Sequence, residues 1–342
     1  MKKVAIVGYG FMGRTHYGAW RRCPGARVVA VCDANLAQLT ARVAGNISGV
    51  ADNTALPKSV KVFADFGEML DAGGFDIVDI TLPTPLHAEM SVRALDAGFN
   101  VLCEKPMALT LADADRMLSA AARSGRVFLV AQCVRFFPEY AWLADAVRSG
   151  RYGKVLAADF TRFMAAPKWS PKGGGWLLDE SKSGGLYVDA HIHDADYITS
   201  LFGMPETVRS VARRSPHGYV DHLSTVYGYP GGEIVTSDCS FAAADSLVWD
   251  AAARVFMEKA TVYLGQAYKS PLTVYPARER PFSPKLPGRS GYDAEIRYFA
   301  SLVDGAAGGA LSAGDARNSL ALVLAERRSA ETGRQIRITG AA

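Results

Sequence analysis

Residues 2–13 read Lys-Lys-Val-Ala-Ile-Val-Gly-Tyr-Gly-Phe-Met-Gly, a short apolar run that leads directly into G-x-G-x-x-G. Arg14 to Arg22 can then form a helix, so the order is strand, glycine turn, helix. A second strand, Arg27 to Cys32 (RVVAVC), ends in Asp33, about 20 residues past the last glycine, where an acid that binds ribose belongs. The three glycines serve different ends. Gly8 permits the tight turn, Gly10 lets the backbone approach a pyrophosphate, and Gly13 lets helix and strand pack closely. Phe11 and Met12 lie between them, where the helix start faces the phosphates. Asp33 would accept hydrogen bonds from the adenosine ribose and repel a 2′-phosphate, so NAD(H) is expected over NADP(H).

The alternation continues through strands at Val60 to Phe63 and Phe75 to Leu82, a helix around His87 to Ala97, and a strand at Asn100 to Cys103. A helix over Leu111 to Ser124 and a strand over Arg126 to Cys133 complete a doubly wound parallel sheet, a Rossmann domain of residues 1–132. From Val155 the pattern changes to successive strands (VLAADFTRF, TVRSVARR, LSTVYGYP, EIVTSDCSF, AARVFME, ATVYLG) joined by short turns. Residues 133–342 are therefore expected to form a substrate-binding and oligomerisation domain with a large, mainly antiparallel open sheet. Alternation of apolar and polar residues gives that sheet one covered face and one that is solvated or used for subunit contact. A homodimer or homotetramer is the expectation.

The 342 residues are 49% hydrophobic and 21% charged, ordinary for a globular chain and unlike a disordered one. A net charge of +4, from 38 basic and 34 acidic side chains spread along the chain, forms no stripe for nucleic acid. Five cysteines without a C-x-x-C pair read as reduced thiols. The N-terminal apolar run is too short and glycine-broken for a signal peptide, and no run approaches the roughly 20 residues needed to span a bilayer. A cytoplasmic protein without a membrane partner is expected.

Gly184 to Asp196 reads GGLYVDAHIHDAD, in which H-x-H beside carboxylates raises the question of a metal. Leu186 to Phe202, however, has the length and periodicity of a largely buried helix. Asp189, His193, Asp196 and Ser200 then form a narrow polar stripe, while His191 and His193 point away from each other and cannot share an ion. No metal is expected. Asp189, one turn before His193, can orient it as a general base, or the two can be a purely structural pair.

The glycine fingerprint with Asp33, the loop Thr84-Pro85-Leu86-His87, Glu104-Lys105-Pro106 and the G-G-x-x-x-D-x-x-x-H of Gly184 to His193 together resemble the glucose–fructose oxidoreductase/inositol dehydrogenase/MocA family, over nearly the whole chain. The resemblance implies that Lys105, Asp189 and His193 gather around a nicotinamide. His193 would take the hydroxyl proton of an alcohol losing hydride, Lys105 would stabilise the alkoxide, and Asp189 would hold the pair. It further implies cofactor contacts from Thr81, Pro83, Thr84, His87, Glu104, Lys105 and Gln132. Arg135 and Trp176 would join Lys105, Asp189 and His193 at the substrate. His87 can equally pack or cap, and His16 reads as a structural hydrogen-bonding residue. Arg162, Lys168 and His222 read as surface or strand side chains, and His191 is unassigned. The implied activity is an NAD(H)-dependent dehydrogenase or reductase of a sugar, polyol or related small molecule. An NAD-dependent glycoside hydrolase and a sugar sensor are alternatives on the same fold, although retention of both Lys105 and His193 argues against the sensor.

Overall fold

A strand in the middle of a parallel sheet is covered on both faces, and β1 (Lys2–Val7) meets that demand with Val4, Ala5, Ile6 and Val7, each at most 2% exposed. A computed structural model describes residues 1–43, 51–167, 177–247, 249–265 and 270–338. After β1 come α1 (Phe11–Arg21), β2 (Ala26–Cys32), β3 (Lys61–Phe63), α2 (Phe66–Ala72), β4 (Ile77–Ile80), α3 (His87–Asp96), β5 (Asn100–Glu104), α4 (Leu111–Ser124) and β6 (Phe128–Ala131). All six strands run parallel in the order β3-β2-β1-β4-β5-β6. The order reverses between β1 and β4, and ligands of such sheets bind beyond the strand ends at that reversal.

Local chemistry sets several element ends. Thr110 accepts a hydrogen bond from the Asp113 N–H at the start of α4, and Gly125, at φ 63°, ends it in the left-handed region, so the helix keeps the limits its sequence indicates. The run Phe75 to Leu82 shortens to Ile77–Ile80, because Thr81 turns its hydroxyl back onto the Val7 and Gly8 carbonyls.

The remaining elements are α5 (Pro138–Arg148), β7 (Val155–Phe163), α6 (Glu180–Ser183), a π-helical turn (Leu186–Ala190), α7 (Ile192–Phe202), β8 (Thr207–Arg214), β9 (Val220–Gly228), β10 (Ile234–Ser240), β11 (Asp250–Met257), β12 (Ala260–Gly265), β13 (Leu272–Pro276), α8 (Gly291–Val303), α9 (Ala313–Thr332) and β14 (Ile336–Arg337). Eight strands form a second sheet in the order β13-β12-β11-β7-β10-β9-β8-β14, antiparallel throughout except where β7 and β10 pair in parallel. One face buries Phe160, Leu223, Tyr227, Val235, Cys239, Val255 and Val262, while Val211, Val226, Ile234, Phe256 and Tyr275 stand exposed on the other.

Two compact units result: Met1–Cys133 with Ser290–Arg317, and Val134–Arg289 with Asn318–Ala342. The first sheet ends with β6 at Ala131, and its unit also takes in α8. Among the described residues no helix is long and apolar enough to cross a membrane.

Candidate active site

The glycine turn has the geometry its spacing requires. Gly8 has φ +87°, and a Cβ there would meet the Thr81 carbonyl oxygen at 2.8 Å. A Cβ on Gly13 would lie 2.0 Å from the Gly8 carbonyl oxygen, so nothing larger fits between α1 and the turn. Around Gly10 there is open space for 4 Å, which leaves the backbone approachable. Thr81 Oγ1 donates to the Gly8 carbonyl at 2.6 Å and ties β4 to the turn. Asp33 is half-buried at the end of β2, its carboxylate held by the N–H groups of Tyr9 (2.7 Å) and Asn35 (2.8 Å).

Gln132, just past β6, is 1% exposed, and neither its amide oxygen nor its amide nitrogen has a hydrogen-bond partner among the described residues. A buried primary amide left this way is costly, and a carboxamide offers it both an acceptor and a donor. The open Gly10 cradle, the fixed Asp33 carboxylate and the orphaned Gln132 amide together fit a nicotinamide dinucleotide.

The Glu104-Lys105-Pro106 loop at the end of β5 holds Lys105 half-buried, with a cis bond to Pro106. Glu104, expected at the cofactor, is 6% exposed and its carboxylate points inward, to His16 Nε2 at 3.0 Å and to the Lys105 N–H at 3.0 Å. His16, fully buried on α1, places Nδ1 3.0 Å from both oxygens of Asp79, which also accepts the Trp20 indole N–H at 2.7 Å. Burial alone would lower the His16 pKa, but Asp79 and then Glu104 outweigh it and hold the imidazole well above its ordinary value.

His87 also turns inward. It is 1% exposed, with Nδ1 2.8 Å from the Pro106 carbonyl and Nε2 2.8 Å from that of Leu82. Burial, the dominant influence, lowers its pKa. The ring braces the loop after β4 against the Lys105 loop. Thr84 is buried beside it and Pro83 is exposed.

In the second unit, the Gly184-Gly185 pair is a backbone requirement. Both have positive φ, +77° and +63°, and a Cβ on Gly184 would sit 2.3 Å from that of Val188. The following segment is not one uniform α-helix. The His191 N–H bonds the Leu186 carbonyl five residues back at 2.9 Å, closing a π turn that carries Asp189, and α7 then carries His193. From Leu186 to Ile198 every residue is buried except Asp189 and His193, which keep part of their surface.

Asp196 does not continue the accessible stripe. It is fully buried and gripped by Arg135, with Nε and Nη2 each 2.7 Å from a carboxylate oxygen, and by the Ser319 hydroxyl at 3.0 Å. Arg135, expected at the substrate, thus commits two nitrogens to a buried ion pair. Arg162, on β7, is buried rather than at the surface, paired with Asp194 at 2.7 and 2.8 Å, and His222 stacks on Phe163. His191 is fully buried and places Nε2 2.9 Å from Glu326 Oε2. Sequence spacing gives no sign of that pair or of Arg135–Asp196, since both join distant segments. Trp176 and Lys168 lie outside the described residues.

Both halves of the chain match known families. Residues 2–132 match the domain described as oxidoreductase family, NAD-binding Rossmann fold, and residues 140–263 match the GFO/IDH/MocA C-terminal domain. D-apiose dehydrogenase of Paraburkholderia graminis is 31% identical over 70% of this chain, although the match spans only 60% of that relative's own length. The NAD(+)-dependent scyllo-inositol 2-dehydrogenase of Bacillus subtilis is 25% identical over 88% of this chain and 86% of its own. The crystal structure of levoglucosan dehydrogenase with NADH and levoglucosan shares the fold, with a TM-score of 0.84 over 99% of this chain and 100% of that one at 20% identity. By both of its halves, the chain belongs to the Gfo/Idh/MocA family of oxidoreductases.

Proposed function

We propose that the protein is an NAD(H)-dependent dehydrogenase or reductase acting on a hydroxyl or carbonyl carbon of a small sugar or polyol. The observation that carries this reading is the selective exposure of Asp189 and His193 in an otherwise buried stretch. Partly accessible polar side chains in so buried a stretch suit a ligand-facing role. Relatives named for D-apiose and scyllo-inositol support the substrate class.

When bound, the nicotinamide supplies the hydride acceptor. His193 takes the hydroxyl proton as general base, and Asp189 in the preceding turn orients its ring. Lys105 offers its ammonium to the oxygen that gains negative charge. Glycines 8, 10 and 13 hold the pyrophosphate against the backbone, and Gln132 receives the carboxamide. Asp33, fixed by the Tyr9 and Asn35 N–H groups, accepts the ribose hydroxyls and repels a 2′-phosphate, which selects NAD(H) over NADP(H).

Fluorescence titration tests the cofactor choice: NADH binds more tightly than NADPH, and the reverse order refutes the role of Asp33. A screen of inositols, aldoses and their keto forms, followed by NADH absorbance, identifies the substrate. With it, Lys105→Ala and His193→Asn each lower kcat by about 10²–10⁴-fold. Turnover within a few-fold of wild type overturns the catalytic assignment.

The exposed apolar residues of the second sheet support a second copy as its cover, giving a homodimer or homotetramer. Sedimentation of Val226→Lys/Ile234→Lys should then show a smaller species than wild type. Five free, buried cysteines suit a reducing, cytoplasmic setting.

A further inference from the structure

We infer that His16, Asp79 and Glu104 form a buried positioning relay that fixes Lys105 relative to the glycine turn. The proposal rests on the reading of Lys105 as the group facing the substrate oxygen, and it gives the first residue of Glu-Lys-Pro a role of its own.

The bonds trace a continuous route. Helix α1 begins at the phosphate cradle and carries His16 one turn further along. Its Nε2 meets one oxygen of Glu104, and the other oxygen accepts the backbone N–H of Lys105 itself. On the opposite side, Nδ1 meets Asp79 on β4, and Trp20, a turn after His16 on α1, donates to the same carboxylate. Three elements of the parallel sheet unit, α1, β4 and β5, are thereby tied at one point directly behind Lys105.

Donor and acceptor accounting makes the histidine a cation. Both ring nitrogens face carboxylate oxygens at 3.0 Å, and only an imidazolium can donate from both. One positive ring between two carboxylates is an expensive thing to bury, and packed apolar side chains of similar volume are often as stabilising. What apolar side chains cannot do is hold a backbone N–H in place by a directional bond. Glu104 does this for Lys105, so a displacement of α1 is transmitted to the lysine through two hydrogen bonds.

The test uses the full chain and Glu104→Gln, which keeps the side-chain volume. Glutamine offers one acceptor oxygen where His16 and the Lys105 N–H each need one, so one bond of the relay is lost. Reductive methylation with peptide mass spectrometry compares Lys105 with Lys58 and Lys61, exposed lysines of the same unit, and requires no substrate. The expected result is a change of about threefold or more in the Lys105 labelling rate, with Lys58, Lys61 and NADH affinity within about twofold of wild type. An unchanged Lys105 rate overturns the relay, as does a change shared equally by all three lysines. Should the variant fail to fold, nitrogen-15 spectra of the wild-type histidines decide: His16 keeps both ring nitrogens protonated above the pH at which a free imidazole titrates, and a His16 that is neutral there overturns the proposal. Turnover by Lys105→Ala tests the catalytic reading separately, so failure there is distinguishable from failure of the relay.

Discussion

Each unit contains a fully buried imidazole behind a side chain assigned to the chemistry, yet the two are built differently. His16 sits between two carboxylates, one of which bonds the adjoining residue, Lys105. His191 has one carboxylate, Glu326, and a tyrosine, Tyr227, whose hydroxyl lies 3.2 Å from the ring and donates to Glu326 at 2.8 Å. Burial alone would lower the His191 pKa, but Glu326 outweighs it and holds it well above the ordinary value. The first cluster acts on a loop through a hydrogen bond to the residue that matters. The second makes no such bond: its ring ties α7 to Glu326 and Tyr227, while the turn that carries Asp189 is closed by the backbone N–H of His191.

The sharpest way to break this comparison is to remove one carboxylate from each cluster. Glu326→Ala leaves His191 buried without its carboxylate partner and costs about 3–5 kcal/mol of unfolding free energy. Glu104→Ala costs less, because Asp79 still pairs with His16. Urea titrations giving equal losses would show that the clusters do not differ in charge balance.

Glycine substitutions separate the units in a second way. Gly13→Ala and Gly184→Ala each drive a Cβ into a neighbour, for a loss of about 2–3 kcal/mol apiece. NADH affinity falls with Gly13→Ala alone, because only that turn belongs to the phosphate cradle. Equal loss of NADH binding in both variants would contradict the assignment.

The smallest effect, read per pH unit and per residue, is one of pH. Both histidines have folded-state pKa values raised above the unfolded value, so their stabilisation is full below about pH 6.5 and is lost as pH rises toward the folded values. Each contributes a decline of about 1.4 kcal/mol per pH unit above that point. His16→Gln or His191→Gln should remove one such contribution from the slope of unfolding free energy between about pH 7 and 9. A wild-type profile that is flat over that range would refute both assignments.

The first unit was legible because its determinants are local. Gly8, Gly10 and Gly13 lie within one turn of chain, and the limits of α4 follow from Thr110 and Gly125 at its ends. The second unit hides more. Helical arithmetic places Asp196 on the stripe of Asp189 and His193, but Arg135, 61 residues away, draws it into the interior. No local pattern marks the π turn either, since its bond differs from an α-helical one by a single residue. Glu104 illustrates a third kind of loss: its motif was visible, but only the His16 contact, 88 residues away, shows which way the carboxylate points.

The return of α8 to the first unit has a practical consequence for anyone recombining these proteins. Phe299 meets Trp20 edge-on at 6.4 Å, Asp293 grips Arg22, and Arg297 bonds the Arg22 carbonyl at 2.7 Å. A gene cut at the end of β6 would encode a parallel sheet with Trp20 stripped of that helix. The body of the second unit is an insertion rather than an appendix. Transplanting it onto the first unit of another such protein therefore needs splice points after Cys133, before Ser290 and again where α9 leaves Arg317.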